Sequence, residues 1–123
     1  MPARPEFILV FKALRELLQR NAGHLIISED SERRYCLQGG SHPKHKTPLP
    51  IAWVEIGKAY VSFHHIGVYA RPELLESVSK ELRARMQGKS CFNFRALDPV
   101  LFAELEELTA RGFDAFRKAG FMP

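Results

Sequence analysis

The sequence predicts an α+β fold, one domain spanning residues 1–123. An antiparallel sheet of about five strands would carry helices packed on one face. Three observations lead there. The strand-like segments come in a run instead of alternating one-for-one with helices, which argues against βαβ units. Two long apolar stripes repeat at helical period, over residues 5–21 and 98–118. Between them, residues 51–69 alternate about Gly57-Lys58 in the manner of a hairpin. The predicted order is α-β-β-β-β-α-β-α.

The first helix, residues 5–21, places Phe7, Phe11, Leu14 and Leu18 on one face, widened by Val10 and Leu17. Pro5 suits its first turn and Gly23 its stop. Strands are expected over 24–29 and 34–37, joined by the polar turn Asp30-Ser31-Glu32-Arg33. Residues 38–50 hold three prolines and two glycines, which forbid regular structure. Loops of this length inside compact domains are usually functional or mobile. The β-branched and aromatic residues of 51–56 and 59–69 then form the two arms of the hairpin. A second helix is expected from Arg71-Pro72-Glu73 onward, with Leu75, Val78, Leu82 and Met86 as its buried stripe and Gly88 as its end. Residues 88–94 give one more strand. Asp98 as N-cap and Pro99 at the first turn open the closing helix. Its inner face runs from Leu101 through Leu105, Leu108 and Gly112 to Phe116.

At 123 residues, with 46% hydrophobic and 26% charged residues, the chain can bury an ordinary core. No apolar run approaches the ~20 residues that span a bilayer. The segment Met1-Pro2-Ala3-Arg4-Pro5-Glu6 lacks the parts of a signal peptide, so a cytoplasmic location and no membrane partner are expected. Cys36 and Cys91, the two cysteines, both fall in predicted strands and read as reduced buried thiols. Cys91, near Lys89 and Arg95, has the more basic setting that a reactive thiol needs. The net charge of +4 raises nucleic-acid binding as a possibility. Its dense cluster, Lys80, Arg83, Arg85, Lys89 and Arg95, is explained by helix C-terminal ends. No zinc-finger, helix-turn-helix or RNA-binding signature accompanies it, so no specific nucleic-acid partner is expected.

No catalytic set nominates itself. There is no Gly-x-Ser-x-Gly elbow, P-loop or dinucleotide fingerprint. His42 and His45 could chelate weakly, but Lys44 lies between them and Lys46 beside them, and both cations oppose a metal. No cofactor is expected. His64 and His65 are adjacent on a strand and must point to opposite faces. The alternation leaves open which faces outward. If His64 does, Ser62 and Tyr60 share its face and, with Lys58, Asn93 or Arg95, could hold an anion.

The segment Phe63-His64-His65-Ile66-Gly67-Val68-Tyr69 followed by Gly88-Lys89-Ser90-Cys91-Phe92-Asn93-Phe94 resembles the YdhG-like domain-of-unknown-function family. In that family a strand ending in Lys-His-Ile precedes a helix, a Gly-Lys-Gly-Thr strand and a closing helix with an arginine. His65-Ile66, Gly88-Lys89 and Arg111 match, over residues 51–117. His64 stands where the family tends to have lysine, and Ser90-Cys91 replaces Gly-Thr. The family is similar to frataxin in fold, and some members are described as iron-handling, so the resemblance implies a binding domain more than an enzyme. Frataxin-like iron binding would use carboxylates on the first helix. Here Glu6 and Glu16 face Arg4, Lys12, Arg15 and Arg20. The expected function is therefore a non-catalytic module for an unknown small ligand or protein partner. Its contacts would be His42, Lys44, His45, Lys46, His64 and Arg95. The alternatives are frataxin-like iron handling and an enzyme with an unrecognised pocket.

Overall fold

The computed structural model describes residues 4–23, 25–39, 50–88 and 90–119. Helix α1 (Pro5–Asn21) leads into β1 (Ile26–Asp30), β2 (Arg34–Gln38), β3 (Pro50–Ile56) and β4 (Val61–His65). Short helical pieces follow: α2 (Ile66–Ala70), a 3-10 segment (Pro72–Ser77) and α3 (Lys80–Arg83). The chain closes with β5 (Met86–Gln87), β6 (Cys91–Phe94) and α4 (Pro99–Ala119). The six strands form one antiparallel sheet in the order β1-β2-β3-β4-β6-β5.

The α+β class and the hairpin stand as expected. Ile56 pairs with Val61, and the Gly57 amide donates to the Tyr60 carbonyl at 2.9 Å to close the turn. One face of the sheet presents Tyr35, Leu37, Val54, Phe63, Phe92 and Phe94 to the buried stripe of α1 and to Leu101, Leu105, Leu108, Phe113 and Phe116 of α4. Helix α4 is unbroken, with the Asp98 carboxylate accepting the Leu101 amide at 3.1 Å.

Three expectations need correction. The sheet has six strands, because Met86–Gln87 adds an edge to β6 through a turn in which Gly88 adopts φ +76°. The strand expected to reach Tyr69 stops at His65, whose Nδ1 accepts the Gly67 amide at 3.1 Å and so caps α2. The single helix expected up to Gly88 is broken. Val78 and Ser79 are extended, and Ser79 caps α3 by accepting the Leu82 amide. Glu104 of α4 holds both the Ser79 amide (2.7 Å) and its hydroxyl (2.6 Å), bonds that a continuous helix would not offer. Tertiary hydrogen bonding thus overrides a good helical stripe.

Candidate functional site

The face of the sheet opposite the helices is where chemistry-bearing side chains gather. Cys36, Trp53, His64 and Cys91 are successive lateral partners across β2, β3, β4 and β6, and Gln87 of β5 pairs with Cys91 at the edge. Side chains directly opposite in an antiparallel pair stand about 5 Å apart, so each member of this row stands beside the next. The Trp53 and His64 rings stack at 4.6 Å with an interplanar angle of 13°. His64 Nε2 lies 3.6 Å from Cys91 Sγ. The thiol also reaches Asn93 Oδ1 at 3.3 Å. From there, Asn93 Nδ2 donates to Gln87 Oε1 at 2.8 Å, and the Tyr60 hydroxyl donates to the same oxygen at 3.2 Å. A continuous polar chain therefore runs from imidazole to thiol to amides to phenol.

The electrostatics of the pair are those of a partly dry surface. Desolvation holds the His64 imidazolium below its ordinary 6.5, with Glu55 pulling the other way and Arg34 adding to the drop. Desolvation also raises the Cys91 thiol above its ordinary 9.0. At neutral pH the pair is a thiol beside a neutral imidazole, not a thiolate–imidazolium ion pair.

Beside the far end of this chain lies a recess of about 250 Å³ lined by Tyr60, Ala84, Arg85, Met86, Asn93 and Arg95. The local fold fixes its walls. Arg85 follows α3, its amide bonded to the Leu82 carbonyl and its carbonyl accepting the Asn93 amide at 2.8 Å. Arg95 follows the end of β6. Other arginines are engaged: Arg15, Arg20, Arg34, Arg71, Arg111 and Arg117 pair with carboxylates, and Arg83 donates to the Leu75 carbonyl. Among the described residues no carboxylate pairs with Arg85 or Arg95. A second groove of about 800 Å³, mostly apolar, runs between Val68, Pro72, Leu75 and Met86.

The structure brings together part of the set that the sequence suggests. His64 faces outward with Ser62, while Tyr60, Asn93 and Arg95 share the recess. His65 points the other way into the core. Lys58 is exposed at the hairpin turn and does not line the recess. His42, Lys44, His45 and Lys46 lie outside the described residues. Sequence reasoning missed Trp53, Gln87 and Arg85. In sequence Arg85 reads as the end of a helix, which in the structure stops at Arg83, and the partners of Trp53 and Gln87 are set by long-range register. In sequence Cys91 stands out only for the charges near it, whereas its neighbour in space is His64.

Fold and site together define a small α+β protein with an open sheet face that carries a mixed aromatic, thiol and cationic surface. No family model, curated protein or solved structure matches the chain at a significant level. Among the described residues, no helix is long and apolar enough to cross a membrane, and no group of three or more His, Cys, Asp and Glu side chains is placed to hold a metal.

Proposed function

We propose that this protein is a ligand-binding module of YdhG-like type, and that its ligand is a small anion carrying a phosphate or carboxylate. The observation that carries this reading is the recess lined by Arg85 and Arg95, without carboxylate partners among the described residues, together with Tyr60 and Asn93. Two guanidiniums offer forked donors suited to planar carboxylate or to phosphate oxygens. The recess accommodates a headgroup, not a large molecule. Frataxin-like iron handling is the weaker reading, because α1 presents Arg4, Lys12, Arg15 and Arg20 against Glu6 and Glu16. Duplex DNA should bind weakly and lose affinity steeply with salt, as a sequence-independent charge effect does.

Calorimetric titration with inorganic phosphate and with acetate tests the proposal. Saturable binding with Kd on the order of 1 mM or tighter is expected. The double variant Arg85→Gln/Arg95→Gln should weaken it by about tenfold or more. Absence of saturation, or affinity unchanged in the double variant, would overturn the reading.

A further inference from the structure

Cys91 differs from Cys36 in exposure and in its neighbours. Cys36 is 3% exposed, whereas Cys91 is partly exposed on the open face. Cys91 Sγ has His64 Nε2 at 3.6 Å, and Asn93 links it to the wall of the cationic recess. Alternate residues of one strand face face the same way about 6.6 Å apart, so the recess begins about two residues' reach from the sulfur. A carboxylate one or two residues removed from a thiol in an extended peptide spans the same distance. We infer that Cys91 is a thiol–disulfide exchange site for small anionic disulfides, with His64 as its base and Arg85 and Arg95 seating the carboxylate. This rests on the anion reading of the recess.

The step balances without any further oxidant. The Cys91 sulfur attacks one sulfur of the disulfide as its proton passes to His64 Nε2. A new S–S bond joins Cys91 to half of the reagent while the original S–S bond breaks. The departing thiolate takes the proton from His64, so one disulfide and one thiol become one mixed disulfide and one thiol. Because the resting pair is neutral, the proton must move during attack, and a His64 that is unprotonated at pH 7 is the base required. The Trp53 ring stacked on His64 holds the imidazole upright on the sheet.

The test exposes the folded protein to three disulfides of similar size and different charge: 3,3′-dithiodipropionate (anionic), hydroxyethyl disulfide (neutral) and cystamine (cationic). Intact mass and peptide mapping follow the reaction. Modification should fall on Cys91 before Cys36, and Cys91→Ser should abolish the fast phase. At low salt the anionic reagent should outpace the cationic one by about fivefold or more, and the difference should shrink as salt screens it. Arg85→Gln/Arg95→Gln should bring that ratio towards one, and His64→Gln should slow all three reagents at pH 7. Cys36 reacting first, or equal rates for the anionic and cationic reagents, would overturn the inference. If phosphate saturates the recess yet the three rates are equal, the inference falls and the anion reading stands. If neither phosphate binding nor charge preference is found, both fall.

Discussion

His65 fills a notch that two glycines leave for it. A Cβ on Gly67 would lie 2.7 Å from its Cε1, and one on Gly112 would lie 2.5 Å from the same atom. Its Nδ1 accepts the Gly67 amide, and its Nε2 faces the Thr109 carbonyl at 3.3 Å, which fixes the neutral Nε2–H tautomer. Helical Gly→Ala normally gains up to ~1 kcal/mol. Gly112→Ala should instead cost about 1–3 kcal/mol by overpacking, read as a lower midpoint in urea. Equal or greater stability would remove the notch from the account. Burial pulls the His65 pKa down from 6.5 to about 4, with the Thr109 carbonyl opposing. Between those two values the unfolded chain takes up a proton that the folded one refuses. Stability is therefore full above about 6.5 and falls as pH drops towards 4, by roughly 3 kcal/mol. Urea midpoints from pH 7.5 to 4 should show this fall, and His65→Gln should flatten that part of the profile. His64, stacked on the single tryptophan, offers an optical check. Trp53 emission should drop as the imidazole charges, with a midpoint below 6.5, and His64→Ala should abolish the titration.

At the level of elements, the segment between α2 and β5 decides where the recess forms. The stripe Leu75, Val78, Leu82, Met86 is a fair helical pattern, and nothing nearby in sequence announces its break. The cause lies in α4, where Glu104 takes hold of Ser79. That contact fixes the turn at Ser79 from which α3 starts; beyond α3, Met86–Gln87 join the sheet and Arg85 lies beside Asn93. Glu104→Ala should cost about 1–2 kcal/mol in global stability, measured by denaturant unfolding, and should also weaken anion binding. A variant with wild-type stability and wild-type anion affinity would disconnect this hinge from the site. Elements whose causes are local were legible: the Gly57 turn, the Asp98 cap, and the stripes of α1 and α4. Those set by distant partners were not.

For the whole molecule, the helices cover one face of the sheet and the other is left to a row drawn from β2, β3, β4 and β6. Each of its residues looks ordinary in its own strand. Cys91 and His64 are 27 residues apart and meet only because β6 lies between β5 and β4 and pairs with both. Tyr60, Asn93 and Arg95 were legible as candidates for one polar patch, because parity puts Tyr60 on the face of His64 and puts Asn93 and Arg95 on one face of their own strand, but the long-range pairing of β4 with β6 is what joins them. Arg85 was not, since its position depends on the Glu104 contact. Anion binding at this edge is the claim on which the functional account turns, and nuclear magnetic resonance reads it residue by residue. In a titration of isotope-labelled protein with inorganic phosphate, the signals of Asn93, Tyr60, Arg85 and Arg95 should move and saturate together while those of α1 stay still. Shifts that never saturate, or that centre on Lys12 and Arg15 of α1, would contradict the account.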